Sequence, residues 1–241
     1  MLSNFVFIIN GGNTMLIQIY FFIIGSIVGS FLTLCTDRLA IHQSIISPRS
    51  HCFNCQHLLG IYDLIPILSY CLLNGKCRYC KQAFPSNSCF TELALGLLYI
   101  KLSTFIHQPL TLIFNLIITT ILIYLSIDDL KHTYVNGYLI GILGLLGLLY
   151  HPTNITLILF LLLLISVFSS FQYSTIFKGL GEADFELFIV FTILLDLRTL
   201  PLILLCSSLT CLIFTLGLQK ITPRQIPFIP YLVFGYFLAT A

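Results

Sequence analysis

Acidic residues are scarce in this chain, nine among 241, and two short stretches hold five of them. The stretch KGLGEADFELF, residues 178–188, sets Glu182, Asp184 and Glu186 directly ahead of an apolar run. The stretch IDDLKHTYVNG, residues 127–137, puts Asp128 and Asp129 at the end of another. An ionisable side chain at membrane depth is costly unless it is paired or faces water, so its default reading is functional. Two carboxyls brought within about 3 Å do not both ionise readily; one keeps its proton while the other acts as a base. Such a pair activates a water for attack on an amide and then protonates the leaving nitrogen. Asp129 and Asp184 are the expected pair. Each cluster also has a plainer reading. Asp184 suits a helix N-cap and Glu186 the first turn of the helix dipole, while Asp128 and Asp129 suit a solvated turn beside Lys131 and His132. Glu182 and Glu186 receive no chemical role.

A second chemistry lies in HCFNCQHLLGIYDLIPILSYCLLNGKCRYCKQ, which carries Cys52, Cys55, Cys77 and Cys80 as two CxxC pairs. Each such turn aims two thiolates at one point, and two turns together supply the tetrahedral sulfur shell that structural zinc prefers. The separation of 21 residues between the pairs lies just outside the usual zinc-ribbon range of about 15–20. Disulfides would require an oxidising compartment, and a redox CxxC would require a βαβ context that the sequence lacks. His51 and His57 flank the first pair as alternative ligands. Four thiolates leave no open position for water, so the expected role of the metal is to hold a fold. Cys35, Cys71, Cys89, Cys206 and Cys211 lie at or within apolar segments, where a free Cys behaves as a small hydrophobe.

These groups sit in an unusually apolar chain. Hydrophobic residues make up 58% and charged residues 8%, with a mean hydropathy of +1.00. Soluble domains carry roughly 25% charged residues, so an integral membrane protein is expected. The apolar segments are continuous rather than alternating, which selects helices over a barrel. The eight candidate spans are 16–35, 90–105, 110–127, 138–150, 155–171, 185–197, 200–218 and 226–240. The fourth and sixth are short enough to be buried or re-entrant, giving six to eight. With eight spans and an outside N-terminus, nine of the eleven Lys and Arg residues fall on one side: Arg38, Arg49, Lys76, Arg78, Lys81, Lys131, Lys178, Lys220 and Arg224. That side is cytoplasmic by the positive-inside rule, and it also holds the five clustered acids and the tetracysteine loop. Arg198 falls outside, and Lys101 within a span. The stretch 16–35 is too long for a signal-peptide core and lacks a basic lead, so its retention is expected. Met15 stands directly before it as an alternative start.

On these residues the chain resembles the type IV prepilin peptidases, a family of polytopic aspartic proteases that also serves competence pseudopili. GSFLTLCTDRL matches a GSFLN-type motif followed by Arg, with Thr33 in place of Asn. DLIPILSYCLLNGKCRYC, residues 63–80, matches the tetracysteine segment of the family. Asp129 opens a D-x5-hydrophobic-P-N stretch in which Val135 and Asn136 are present and the Pro is missing. Asp184 ends a GxGD-type motif whose inner Gly is Ala183, and IPFIP, residues 226–230, matches an IPFGP-type close. In place of the family's YP pair, NSCFTE leads to Glu92. The resemblance implies that Asp129 and Asp184 are the catalytic pair, that the substrates are prepilin or pseudopilin precursors cut after a Gly that precedes an apolar helix, and that a zinc-binding loop lies in the cytoplasm. It further implies, for the members that N-methylate the new terminus, S-adenosylmethionine as methyl donor; no nucleotide-type GxGxxG precedes a helix here.

The expectation is therefore an all-α polytopic membrane protein. A first transmembrane helix over 15–36 is followed by a cytoplasmic zinc-binding tetracysteine domain over 37–89 and a transmembrane aspartic peptidase domain over 90–241. The lipid bilayer and prepilin-like precursors are its expected partners, with no direct nucleic-acid partner. A proton-coupled transporter would carry acids near the midplane and repeated halves, and neither is seen. A non-catalytic assembly factor would tolerate loss of either Asp.

Overall fold

The computed structural model describes residues 2–47, 49–84, 86–133, 135–168, 181–195, 199–218 and 226–240. Among them the regular structure is helical, with no strand beyond two isolated bridges, His51 with Leu58 and Lys76 with Ala83. The helices are α1 (Leu2–Ala40), α2 (Leu68–Leu72), α3 (Asn87–Leu102), α4 (Pro109–His132), α5 (Gly137–Tyr150), α6 (Asn154–Phe168), α7 (Glu182–Leu194), α8 (Leu200–Leu218) and α9 (Ile229–Ala239). Each predicted span overlaps one of these helices, for the reason that an apolar run with no water around it can satisfy its backbone only internally. Two of them, Thr14–Ala40 and Pro109–His132, are long and apolar enough to cross a membrane. Gly137–Tyr150, Leu200–Thr215 and Ile229–Ala239 are shorter apolar helices. Lys178, Arg198, Lys220 and Arg224 of the charge argument, the side chain of Glu182, and the ends of the predicted 155–171 and 185–197 spans lie outside the described residues.

The helix bounds differ from the predicted spans at their polar ends. Helix α4 continues through Asp128 and Asp129 to His132, where Thr133 takes a left-handed conformation (φ 52°) and donates its N–H to the Asp129 carbonyl at 2.9 Å. The two acids thus lie in a helical last turn rather than in a solvated turn. Helix α7 begins at Glu182, so Asp184 falls in its first turn, with Gly181 as N-cap. Hydropathy alone misses these turns, because a helix carries its hydrogen bonds past the last apolar residue.

The chain divides into two compact units, Met1–Thr120 and Ile121–Ala241, with α4 running through the division. In the first, α1 and α3 meet through a G-x-x-x-G pair, Gly25 and Gly29. A methyl added at Gly25 would sit 2.7 Å from the Leu95 carbonyl oxygen, and one at Gly29 would sit 2.9 Å from Glu92 Cα. Small residues let backbones approach this closely, which is how apolar helices associate where lipid offers no hydrophobic drive. Thr33 and Thr91 share a hydroxyl hydrogen bond of 2.8 Å across the same seam. In the second unit Gly147 accepts Ile193 and Leu194 of α7, a methyl added at Gly235 of α9 would sit 2.7 Å from the Ile203 carbonyl oxygen of α8, and Phe191 stacks on Tyr236 with ring centroids 5.2 Å apart. Leu122, Leu125, Ile140, Leu143, Leu187 and Val190 are buried in it.

This packing makes a direct prediction. Gly25→Leu should lower the thermal midpoint of the detergent-solubilised protein, since forcing bulk into a closed seam costs about 1–3 kcal/mol. Gly141, which meets nothing within 4 Å, serves as the control: Gly141→Ala should leave the midpoint unchanged or raise it.

Candidate functional site

The four predicted thiols come together. Sγ atoms of Cys52, Cys55, Cys77 and Cys80 all lie within 4.8 Å of one another, with Cys52 and Cys80 at 3.7 Å. A tetrahedral ion with bonds of about 2.3 Å separates its sulfurs by about 3.8 Å, so the shell fits zinc. Two copies of one knuckle build it. Cys52 N–H donates to the His57 carbonyl at 3.0 Å and Gln56 N–H to the Cys52 carbonyl at 2.9 Å; Cys77 and Gln82, then Lys81 and Cys77, repeat this at 2.8 and 3.1 Å. Gln56 (φ 58°) and Lys81 (φ 59°) both adopt the left-handed conformation that folds each chain back over its sulfurs. The backbone N–H of Gln82 heads the interactions that draw the Cys80 thiol down to about 6. The His57 N–H favours the Cys55 thiolate, yet burial and the neighbouring thiols push Cys55 up to about 11. Neither flanking histidine joins the cluster: His57 packs against Tyr79 with ring centroids 3.6 Å apart and the rings tilted by 40°, and His51 Nδ1 lies 3.0 Å from the Arg49 carbonyl.

Between the knuckles, the DLIPILSY segment is tied to α3. Buried Glu92 accepts the Ile67 N–H at 2.7 Å and the Ser88 hydroxyl at 2.9 Å. Ile67 holds φ 61° and ψ −52°, a conformation that a β-branched residue adopts only when its surroundings impose it. The carboxylate of Glu92 supplies that constraint by fixing the amide. Asp63 pairs with Arg78 at 2.8 Å, linking the segment to the second knuckle. Arg38, at the end of α1, donates to the carbonyls of Ser44 and Ile45 at 3.1 and 2.8 Å. A cavity of about 250 Å³ opens among these groups, lined in part by Asp37, Asp63, Tyr70, Lys76 and Glu92.

The second unit holds the two aspartates at helix ends. Asp129 is buried and Asp184 half-buried, and the charge of Asp184 is felt at Asp129, as is that of the adjacent Asp128. Each carboxyl is gripped by a backbone amide. Ile229 N–H donates to Asp129 Oδ2 at 3.1 Å, and Gly181 N–H donates to Asp184 Oδ2 at 3.2 Å. The Asp184 N–H returns a bond to the Gly181 carbonyl at 3.1 Å, so the carboxyl and the cap hold each other. Ala183, the departure from GxGD, lies within the helical first turn, where Ala is the better helix former and nothing requires Gly. Asn136 caps α5 by accepting the Tyr138 N–H at 3.1 Å. Glu186 is buried in α7. Such an arrangement, two acids in electrostatic reach of each other and oriented by fixed donors, is suited to general acid–base attack on an amide.

Two groups escaped the sequence reading. Glu92 carried a signal, being the single acid in a long apolar stretch, but nothing marked the Ile67 amide as its partner. The Ile229 amide had no signal, because a backbone donor leaves no trace in residue type.

Comparison with known proteins finds family matches in both units. Residues 23–106 match the family model of the bacterial peptidase A24 N-terminal domain, and residues 116–216 that of the type IV leader peptidase family. The prepilin leader peptidase/N-methyltransferase of Legionella pneumophila is 30% identical over 212 residues, covering 83% of this chain and 74% of that protein. Its counterpart in Dichelobacter nodosus is 28% identical over 204 residues, 81% of this chain and 71% of the relative. That of Myxococcus xanthus is 34% identical over 117 residues, 48% of this chain and 35% of the relative. No solved structure matches. With both of its halves matched and a relative of this identity covered over most of its length, the chain belongs to the type IV leader peptidase family, the aspartic prepilin peptidases.

Proposed function

We propose that the chain cleaves the short basic leader from type IV prepilin-like precursors, competence pseudopilins among them, at the cytoplasmic face of the cell membrane, using Asp129 and Asp184. The observation that carries this reading is the pair of acids at helix ends of the second unit, each with one carboxyl oxygen held by a backbone N–H. One carboxylate takes a proton from water as the water oxygen bonds to the scissile carbonyl carbon. The other carboxyl gives its proton to the amide nitrogen as the C–N bond breaks, leaving a new carboxylate on the leader and a free amine on the mature chain. A basic leader stays in the cytoplasm while the apolar helix behind it enters the bilayer, so the bond to be cut lies at the boundary. Eight spans with an outside N-terminus would bring both acids to that boundary, which is what the distribution of Lys and Arg supports.

The tetracysteine cluster in this reading holds one zinc ion, which fixes the knuckles and takes no part in peptide cleavage. A closed thiolate shell contributes folding free energy outright. N-methylation of the new amine, an activity for which the relatives are named, would draw on S-adenosylmethionine. The cavity of the first unit supports this through Tyr70, whose ring offers an aromatic face to a sulfonium, and through its mixed lining of acids and bases, Asp37, Asp63 and Glu92 beside Arg38, Lys76 and Arg78, which suits a ligand that carries both a carboxylate and cationic groups.

Three outcomes are expected. Asp129→Asn and Asp184→Asn should each lower leader cleavage by at least about a hundredfold while the protein remains in the membrane, scored by the N-terminal mass of a co-expressed prepilin; near-normal processing by either variant would end the assignment, whereas Glu182→Gln and Glu186→Gln should be milder. Purified protein should contain one zinc per chain by elemental analysis, and Ser at Cys52, Cys55, Cys77 or Cys80 should expose the remaining thiols to alkylation without altering the chemical step. Reporter cysteines near Lys131 and Lys178 should label from the cytoplasm and one near Ala241 from outside; finding the first two on opposite faces would separate the acids.

A further inference from the structure

The IPFIP stretch is a motif that neither the acid–base chemistry nor the metal explains, and its geometry points to a task. Ile229 opens α9 and is 1% exposed. Its N–H reaches back across 100 residues of sequence to Asp129 Oδ2, at 3.1 Å in a buried bond. The helix start has few other means of being satisfied: Phe228 at the N-cap offers no side-chain cap, and Pro230 has no N–H.

We propose that the Ile229 backbone amide is a positioning group for peptide cleavage, fixing the Asp129 carboxyl so that Oδ2 accepts the hydrogen bond and Oδ1 is the oxygen that exchanges the proton. This rests on the reading of Asp129 as half of the catalytic pair. A carboxyl turns about its Cβ–Cγ bond in a broad well, and Asp129 stands in the last turn of α4, where helices fray. One buried donor from a second helix removes that freedom. Asp184 is treated alike, through the Gly181 amide within its own first turn. The IPFIP sequence suits the task because the prolines at 227 and 230 stiffen the backbone on either side of the donor. The rival account is that Asp129 merely caps α9. A cap would affect stability and leave turnover per folded molecule unchanged.

The test replaces the amide and keeps the side chain. Nonsense suppression with the α-hydroxy acid of isoleucine at position 229 turns the N–H donor into an ester oxygen in the full-length protein. Per folded molecule, kcat for a prepilin substrate should fall at least about tenfold with KM within about twofold, the loss expected when one buried donor is removed. Ile229→Ala restores the amide, and its kcat should stand at least about tenfold above that of the ester. An ester protein with wild-type kcat, or an alanine variant as slow as the ester, overturns the proposal. If the ester protein does not accumulate, Ile229→Pro takes its place, since it removes the same N–H at a first helical position that tolerates proline. Its kcat per folded molecule should stand at least about tenfold below that of Ile229→Ala, and equal values overturn the proposal. Failure of the catalytic reading is distinguishable, because it would appear as near-normal cleavage by Asp129→Asn whatever the state of residue 229.

Discussion

A carboxylate at the end of an apolar helix must find its donors within the protein, and much of the polar architecture here follows from that constraint. Leaving such a group unpaired in a water-poor setting costs more than the bond itself gains. Glu92, Asp129 and Asp184 meet the demand in one way: each accepts a backbone N–H at a helix start or its cap, from Ile67, Ile229 and Gly181 respectively. These amides are unused by the helix ladder, since the first N–H groups of a helix have no intrahelical acceptor. Acid and helix start therefore satisfy each other, and the helix dipole adds to the fit. Fixed donors of this kind also need no reorganisation when charge moves, which makes the same geometry useful for proton transfer.

The first unit shows how the constraint spreads into packing. Glu92 reaches the DLIPILSY segment from α3, and α3 packs hard against α1 at Gly25 and Gly29, where a side chain would meet the α3 backbone. The knuckles gain a fixed base from this seam. Glu92 holds Ile67 between them, Asp63 binds Arg78 beside Cys77, and Arg38 gathers the carbonyls that follow α1. A metal bound by the four thiols would fix the knuckles to each other, whereas these bonds fix them to the helices.

Much of this was legible in the sequence because it rests on period and spacing. The eight apolar runs became helices, and 200–218 was matched to the residue by α8. The two CxxC pairs converged because each turn is local, so its geometry travels with its four residues. What was not legible depends on backbone. The predicted N-cap at Asp184 proved to be the third helical residue, because Gly181 can serve as cap while Asp184 bonds back to it. The left-handed turns at Gln56, Ile67, Lys81 and Thr133 fall on residues whose types do not announce them. Helix length was the other blind side: Asp128 and Asp129 lie inside α4 because hydrogen bonding outlasts hydropathy by a turn.

The same distinction accounts for where the chain departs from its family's motifs. Ala183 replaces a Gly, but the position is helical, so the loss of conformational freedom has no cost. Ile229 stands at the Gly of an IPFGP-type close, and what reaches Asp129 is the amide, which both residues possess. Thr33 replaces Asn, yet its hydroxyl still makes a polar link across to Thr91 on α3. In each case the altered side chain is not the group in use, or a smaller group of the same capacity remains. Where the proposed chemistry would use the side chain itself, at Asp129, Asp184 and the four cysteines, the residue type is the one that chemistry requires. A backbone N–H can be supplied by many residue types, so a carboxyl held by helix-start amides places little demand on the side chains that carry those amides.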